Sequence, residues 1–519
     1  MLESSDKGFA LFTAIVFLSS GMFIYSNGPN TGPDDGSNGG PNTIAGWQEP
    51  VWLPRDPACI DENNGQDYPE YGIGYEPSLA ADSEGNMFIT AHKDLRWGGE
   101  DAPIPIFLDP DDPGLWYACE DGESTSWDYW ASWFWISNDG GETWGPGAGF
   151  EPTPGNMLMA NYLAGGSECL GDEGDISVDA NDKIYYLDTT LEDNWWHRFT
   201  DGGQTYDMNT CQRMNSMAAD DRPWVAAQGD GIIHYLGNSG VSPPECSGDS
   251  GRYWYYHSED EGNTFSQCYS MPGGWSTIAA ERNGPHVYVA QEDQDSSTGY
   301  VHLRISDDYG RGTSFLPGDG SWQEPIILGE RKGNPPEGYP VVNTNDNGTV
   351  AVVWGDAPDG GTGAWDLNFA ISYEYGASDS WSTWEITPPW DGITMYPFVS
   401  ISENNRVAVS FYGLDLGVGE SAGYKEGKSW YLYSGYLDNP QLGEEWQFEI
   451  ADSFPLHTIT AYEETEGDVH ALHDFFETVI APDGSWMGIA YQRNIGQHPF
   501  EENEEQRYIM FVKADLPPV

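Results

Sequence analysis

Basic side chains are scarce in this sequence. Its 519 residues include 20 Lys and Arg against 84 Asp and Glu, which gives a formal net charge of −64. So acidic a chain is repelled by nucleic-acid phosphates and by anionic membrane surfaces, and both are excluded as main partners. The charge favours solubility in a saline or calcium-bearing medium and does not select a fold.

Motifs for metal binding and nucleophilic catalysis are also missing. The sequence has no CxxC pair, Ser/His/Asp arrangement, phosphate-binding loop or HExxH motif. Its six cysteines lie at Cys59, Cys119, Cys169, Cys211, Cys246 and Cys268. An even number without metal-ligand spacing favours disulfides in an exported protein. Pairing successive cysteines predicts the bridges 59–119, 169–211 and 246–268.

One long apolar run stands near the N-terminus. Residues 8–26 are uncharged and mostly apolar, which is long enough for a helix to cross a bilayer. The preceding Glu3 and Asp6 weaken a signal-peptide reading, so residues 1–26 are interpreted as an uncleaved membrane anchor, with a cleaved signal peptide or a buried helix as alternatives. Residues 27–45 are rich in Gly, Pro, Asn and Asp and predict a flexible linker. We therefore expect residues 46–519 at the cell surface, or alternatively secreted.

A short motif, S-x-D-x-G-x-T-aromatic, recurs along the chain. It appears at 137–144, 199–206 and 258–265, with a distorted copy at 306–315. Such a segment predicts a closed turn in which the Asp carboxylate accepts backbone N–H groups, Gly has a positive φ, the Thr hydroxyl folds back and the aromatic ring fills the space below. Several copies in one chain indicate a repeat architecture.

A second pattern, two short strands joined by a Gly, Asn or Asp turn, occurs seven times. The hairpins lie at 76–92, 174–188, 222–237, 276–293, 339–356, 396–413 and 475–492. With 64 Gly, 35 Pro and 14% aromatic residues, the composition also favours short strands and turns. A third strand, the repeated turn and a fourth strand follow most hairpins, which predicts an all-β propeller of seven four-stranded antiparallel blades. The segment 47–53 resembles 322–328 and is expected to be the outer strand of the last blade.

These motifs resemble the sialidase-like superfamily of Asp-box propellers over residues 46–519. The resemblance implies a propeller that acts on or binds glycans, usually with six blades, which is the alternative count here. It places Tyr75, in Gly74-Tyr75-Glu76-Pro77, where the family has a carboxylate-binding arginine. It also matches Arg96 and the acid/base Asp101 loosely, the nucleophile to Tyr396 with Tyr339 as second candidate, and its carboxylate partner to Asp221 or Asp220.

In a blade, residues before the first strand and after the second lie at one end of the ring, where loops can form a pocket. Predicted substrate-binding residues there are Asp94, Arg96, Trp97, Asp188, Arg222, Asp293, Tyr339, Asp356 and Arg493. Most of the residues at this end are acidic, which suits a cation or a polyhydroxylated sugar better than an acidic sugar. Several of the Asp residues would alternatively only cap strand ends. The aromatic-rich loop 95–131 either overhangs the pocket or packs on the rim.

The sequence thus predicts an extracellular, surface-anchored propeller that recognises glycans or glycoproteins. Two alternatives stay open: an exo-glycosidase of sialidase type, in which three arginines converge near Tyr396, and a structural or adhesion protein of the cell envelope. We expect no cofactor and no metal at the site, with Asp-rich stretches such as 109–114 as weak calcium ligands at most. Expected partners are glycans or glycoproteins, with the membrane contacted only by the N-terminal helix.

Overall fold

The computed structural model describes a large part of the chain. The described residues are 46–53, 74–93, 133–146, 173–189, 194–200, 202, 212–213, 220–239, 253–266, 268–271, 273–293, 299–312, 314, 321–331, 338–356, 365–386, 388, 390, 392–417, 424–466, 472–473, 475–497 and 505–519. They form seven antiparallel sheets whose inner strands contact one another in sequence and then close into a ring. The prediction of a seven-bladed β-propeller is confirmed.

The first four blades follow the chain, each with its innermost strand first. Blade one contains β2 (Gly74–Ala81), β3 (Met87–Lys93), β4 (Trp133–Ser137) and β5 (Gly145–Pro146). Blade two contains β6 (Glu173–Val178), β7 (Ile184–Thr189), β8 (Asn194–Phe199) and β9 (Gln212–Arg213). Blade three contains β10 (Asp220–Gln228), β11 (Ile232–Ser239), β12 (Tyr253–Ser258) and β13 (Tyr269–Met271). Blade four contains β14 (Ser276–Ala280), β15 (Val287–Glu292), β16 (Gly299–Ser306) and β17 (Ile326–Arg331).

The last three blades complete the ring. Blade five contains β18 (Val341–Thr344), β19 (Val350–Asp356), β20 (Asp366–Ser372) and β21 (Ser382–Ile386). Blade six contains β22 (Gly392–Ile401), β23 (Arg406–Asp415), β24 (Ser429–Asp438) and two short strands that both pair with β24, β25 (Glu449–Ile450) and β26 (His457–Thr458). This blade therefore has five strands instead of the predicted four. The helix α1 (Ala461–Glu466) precedes blade seven, which contains β27 (Glu477–Ile480), β28 (Trp486–Gln497), β29 (Glu505–Asp515) and β1 (Val51–Trp52).

The N-terminal strand closes the ring, as the sequence predicted. In blade seven Val51 pairs with Phe511 and Trp52 with Met510, both in β29, and Leu53 donates its N–H to the Ile509 carbonyl at 3.1 Å. The Trp52 ring also lies 5.1 Å from the Tyr508 ring in an edge-to-face arrangement. The two ends of the domain are thus joined in one sheet, which leaves blade seven without an unpaired outer edge on β29.

The repeated motif forms the closed turn that its chemistry predicts. In blade three the Asp260 carboxylate accepts the Thr264 N–H at 2.8 Å and the Thr264 hydroxyl at 2.7 Å, and the Ser258 hydroxyl accepts the Gly262 N–H at 2.9 Å. The copy at Asp139 has the same pattern of bonds. Gly262 has φ +79°, and a Cβ there would lie 2.0 Å from Nε1 of Trp196, so both backbone and space require glycine.

Adjacent blades are joined by side chains that accept N–H groups from the inner strand of the next blade. The inner edge of each first strand would otherwise expose unpaired N–H groups to the channel. The acceptor and donor pairs are Ser177 and Ala227, Thr277 and Val342, Asn343 and Ile401, Ser400 and Ile480, Asp175 and Val225, and Glu477 and Leu79. These bonds hold the ring together around its axis.

Between the blades the core is apolar and rich in aromatic side chains. Among the largest fully buried side chains are Trp135, Trp196, Trp254, Trp354 and Trp430. Cys268 is also buried, whereas the other five cysteines lie outside the described residues, so the disulfide pairing stays a prediction. In the described part of the chain, no helix has the length and apolarity needed to span a bilayer. The predicted anchor, residues 1–26, and the linker 27–45 lie outside the described residues.

Candidate functional site

The candidate site lies at the end of the ring where the first strands begin and the second strands end, here called the loop-bearing end. Three first strands carry a β-bulge there, at the residue before a proline: Glu76, Arg222 and Tyr396. Proline cannot donate to the ladder, so the chain accommodates it with a bulge. Glu76 has φ +50° and Tyr396 has φ +52°, a left-handed backbone that few residues other than glycine adopt. Such conformations concentrate at functional sites.

Glu76 is a buried carboxylate at this end, with 6% of its surface exposed. Its Oε2 lies 3.1 Å from Nε2 of His92, at the end of β3, and its Oε1 lies 3.9 Å from Nδ1 of His473, which precedes blade seven. The Tyr75 ring is stacked between the two imidazoles, 4.3 Å from His92 and 3.9 Å from His473, and the Arg507 guanidinium lies 5.7 Å from its centre. Blades one and seven thus meet in a polar aromatic cluster.

Tyrosines from blade six extend this cluster. Tyr396 is 4% exposed, and its ring lies 5.8 Å from that of Tyr412 in an edge-to-face arrangement. Tyr412 in turn stacks on Phe476 at 4.5 Å. Burial raises the pKa of Tyr412 well above its usual range, and the negative charge of Glu76 raises it further. The Tyr412 phenol is therefore a neutral hydrogen-bonding group whose pKa responds to the Glu76 charge.

Aromatic rings cross the channel just below the bulges. Trp224 of blade three lies 6.1 Å from Tyr339 of blade five and 5.2 Å from Phe475 beside blade seven. These blades are not neighbours, so the three rings meet over the axis of the ring. Tyr339, one of the predicted site residues, is 5% exposed in this contact. Beneath the rings, a central cavity of about 490 Å³ extends to the hairpin turns at the opposite end and is lined by Trp224 and Phe398, among others.

Two buried carboxylates line the same cavity on the side of blades one, two and seven. The Ser78 hydroxyl lies 2.6 Å from Oδ1 of Asp175 and 2.9 Å from Oε2 of Glu477, so a single hydroxyl bridges both acids. Burial raises the pKa of Asp175 to about 6, although hydrogen bonds from Ser78, Val225 and Ile176 oppose the shift. Burial and the nearby Asp175 charge raise the pKa of Glu477 well above its usual range. The pair therefore favours holding a proton.

The arginines Arg331 and Arg493 are already paired with acids. Arg493 forms a buried ion pair with Asp452 and lies 5.4 Å from the Trp52 ring centre and 5.1 Å from that of Phe454. Arg331 forms a buried ion pair with Glu292, and burial lowers its pKa to about 10. Arg493, predicted to bind substrate, thus joins blades six and seven.

The other predicted site residues fall into two groups. Asp94, Arg96, Trp97 and Asp101 lie outside the described residues, and of Asp188, Asp221 and Arg222 only the backbone is described, at strand ends on the loop-bearing end. Asp293 accepts the Tyr300 N–H at 3.0 Å and contacts Nε2 of His302 at 2.6 Å, which is the strand-capping role considered for these acids. Asp356 is buried at the end of β19.

The sequence reasoning missed Glu76, His92, Asp175 and Glu477. Glu76 occupies the same position before proline as Tyr396, and aligning the hairpins on Pro77 and Pro397 could have found it. Asp175 and Glu477 had no such signal, because neither precedes a proline and each lies in a strand without a special motif. Within the described residues, no three His, Cys, Asp or Glu side chains are arranged to hold a metal ion.

Comparisons with known proteins return distant similarities. No family model and no curated protein matches the chain. Among solved structures, it is similar to an α-L-arabinofuranosidase of Fusarium graminearum in complex with arabinobiose, with 11% identity, TM-score 0.37, and 90% of this chain and 97% of that one covered. It is also similar to the NanB sialidase of Streptococcus pneumoniae (10% identity, TM-score 0.35, 88% and 72% covered) and to the intramolecular trans-sialidase of Ruminococcus gnavus (12%, 0.34, 85% and 94%).

Proposed function

We propose that this chain is a sialidase-like propeller that recognises glycans or glycoproteins at its loop-bearing end. The observation that supports it is the cluster around Glu76, in which a buried carboxylate, two imidazoles and several tyrosines from blades one, six and seven come together. Carboxylates, imidazoles and phenols are the groups that hydrogen-bond sugar hydroxyls, and aromatic rings pack against the apolar faces of sugars. The two bulges with left-handed residues direct these side chains to one place.

A second candidate function is exo-glycoside hydrolysis with Tyr396 as the nucleophile. The specific observation in its favour is the strained backbone of Tyr396 beside Tyr412, whose pKa is raised in part by Glu76. In this reaction the Tyr396 oxygen would bond to the anomeric carbon while a carboxylate, for which Glu76 of the same cluster is a candidate, accepts the phenol proton; the glycosidic bond would break, and Asp101 would protonate the departing oxygen. Arg96, Asp101, Asp221 and Arg222 are proposed to complete either site from the loops and strand ends around it.

The location of the protein is proposed from the sequence. Residues 1–26 would anchor the chain in a membrane, residues 27–45 would act as a linker, and residues 46–519 would present the propeller at the cell surface. The apolar run at 8–26 and the excess of Asp and Glu support this arrangement. Secretion after cleavage of residues 1–26 is the alternative, which N-terminal sequencing of the mature protein distinguishes.

The purified full-length chain is tested on a glycan array and with fluorogenic glycosides. Binding that is lost in Glu76→Gln and retained in Asp293→Asn, a more exposed acid of blade four, supports recognition at the cluster. Turnover establishes the hydrolase if Tyr396→Phe abolishes it and Tyr373→Phe leaves it unchanged. Tyr373 is the control because its hydroxyl donates to the Pro440 carbonyl in blade six, away from the cluster. Absence of both binding and turnover refutes the proposal and favours a structural or adhesion protein.

A further inference from the structure

The central cavity of about 490 Å³ has two unlike ends. Toward the loop-bearing end, the Trp224 ring lies 6.1 Å from that of Tyr339 and 5.2 Å from that of Phe475, and these three rings cover the cavity. At the opposite end it is bordered by Ser83 and Asn283, which are exposed residues of two hairpin turns. The cavity is therefore reached from the end of the ring that lies away from the proposed glycan site.

The size and the wall of the cavity suit a small ligand with an apolar part. Sites for small molecules have volumes of roughly 300–1,000 Å³, and this cavity could hold about 16 water molecules at about 30 Å³ each. Space is left on the axis because the small side chains of Ala80, Ala226 and Ala279 line it, while Val341 and Phe398 add to its apolar wall. A hydrocarbon chain that enters this space is removed from water, which favours binding.

Glu477 brings a hydrogen-bonding atom to this wall. Its Oε2 accepts the Ser78 hydroxyl at 2.9 Å and the Leu79 N–H. Its Oε1 makes no hydrogen bond with any described residue, although the side chain is 9% exposed and borders the cavity. The neighbouring Asp175, by contrast, accepts hydrogen bonds on both oxygens, at 2.6 Å from the Ser78 hydroxyl and 2.6 Å from the Val225 N–H. A ligand that donates a proton to Oε1 would therefore satisfy a buried polar atom.

Near neutral pH the two acids together carry one negative charge. Burial raises the pKa of Asp175 to about 6, which leaves it ionised, whereas burial and the Asp175 charge raise the pKa of Glu477 well above its usual range and keep its proton in place. Among the described residues, Asp175 is the titratable group whose charge acts on Glu477, and Arg282, Asp346 and Glu403 border the far end of the cavity. A cation beside Glu477 would replace its proton.

We propose that the central cavity binds an organic cation that carries a primary ammonium group on an apolar body. The ammonium group donates to Oε1 of Glu477, and Trp224 and Phe398 provide aromatic surface near the positive charge. The hydrocarbon lies along the apolar wall. As the cation binds, the carboxyl proton of Glu477 leaves to solvent, so one positive charge enters and one departs. The net charge of −64 attracts cations to the protein from a distance.

The test is isothermal titration calorimetry of the full-length protein at pH 7.0, in two buffers of different ionisation enthalpy. The probes are hexylammonium chloride and 1-hexanol, a neutral molecule of equal length. Hexylammonium should bind on the order of ten-fold more tightly than hexanol, because only the cation forms a charged hydrogen bond, and it should release about one proton.

Glu477→Gln should lower the affinity for hexylammonium by about ten-fold and abolish the proton release, because the glutamine oxygen stays on the Leu79 N–H and its amide N–H faces the cavity. Asp483→Asn is the matched control. It removes an exposed carboxylate from the hairpin turn of the same blade and should leave the affinity nearly unchanged.

Four results would overturn the proposal: no binding of hexylammonium, equal affinity for the two probes, binding without proton release, or full affinity in Glu477→Gln, which would place the cation at another acidic part of the protein. Circular dichroism and thermal melting show whether the variant folds. If it does not, the proton release and the preference over hexanol in the wild type decide the question. None of these outcomes bears on glycan recognition at the loop-bearing end.

Discussion

Replacing Glu477 by Gln should make the propeller more stable at neutral and alkaline pH and leave its stability unchanged in acid. In the wild type Asp175 and Glu477 share the Ser78 hydroxyl in a buried site, and both pKa values are raised. The glutamine amide oxygen can still accept the Leu79 N–H, and the single proton of the Ser78 hydroxyl stays available to Asp175. The substitution therefore removes one of the two ionisable groups and keeps the hydrogen bonds to Leu79 and Asp175.

The direction of this pH dependence of stability follows from proton linkage. A carboxyl whose pKa is raised in the folded state binds its proton more tightly there than in the unfolded chain. Its contribution to stability is complete below the unfolded value of 3.8 and is lost as the pH rises through about 6, the folded value of Asp175. For Asp175 the difference corresponds to about 3 kcal/mol as an upper bound. Relief of the repulsion by Glu477→Gln should recover roughly 1–3 kcal/mol at pH 8.

The assay is differential scanning calorimetry at constant, high ionic strength, which screens the large surface charge. The melting temperature of Glu477→Gln should exceed that of the wild type by a few degrees at pH 8, and the two should converge at pH 4.5. Asp483→Asn is a control of opposite sign, because hydrogen bonds from Ser485 lower the pKa of Asp483. That variant should be less stable than the wild type at pH 8. The reasoning would be refuted if the difference in melting temperature between Glu477→Gln and the wild type were the same at pH 8 and at pH 4.5.

Three further predictions concern the closing strand, an ion pair between two blades, and the repeated turn. Deleting residues 46–54 removes β1 from blade seven and should lower the melting temperature of the entire domain; an unchanged melting curve would contradict the closure. Arg493→Ala leaves Asp452 buried without its partner and should cost about 3–5 kcal/mol in denaturant unfolding, whereas the double variant with Asp452→Asn should recover part of this loss. Asp260→Ala removes both bonds to Thr264 and should cost about 1–2 kcal/mol by the same measurement, while a neutral effect would show that the repeated turn is dispensable.

Much of the fold could be predicted because its signals are local. Period-two alternation and turn residues mark each hairpin; in the first, the Asp82 carboxylate accepts the Glu84 and Asn86 N–H groups and closes the turn. The similarity of 47–53 to 322–328 indicated the closing strand, which the pairing of Val51 with Phe511 confirms. The fifth strand of blade six was missed because two-residue strands carry no periodic signal.

The candidate site was harder to predict because it depends on which blades become neighbours. Tyr396 is predicted by the resemblance to the sialidase-like superfamily, whereas Glu76, in the equivalent position before a proline, has no counterpart in the residues that the resemblance matches. The ion pair of Arg493 with Asp452 could not be predicted, because the two residues belong to different blades, and substrate binding by Arg493 stays a prediction. For Asp101 and the residues of its loop, the prediction stands untested.

The sequence alone determined the class of fold, the order of the hairpins, and the turn between the third and fourth strands of the first four blades, because alternation and turn chemistry act between residues close in the chain. Only the tertiary structure decided which side chains share the channel. Ser78 and Glu477 are 399 residues apart and meet because the last blade closes against the first. The ring closes only when the blades pack together. This packing buries Asp175 and Glu477 side by side, and burial and mutual repulsion then shift their pKa values.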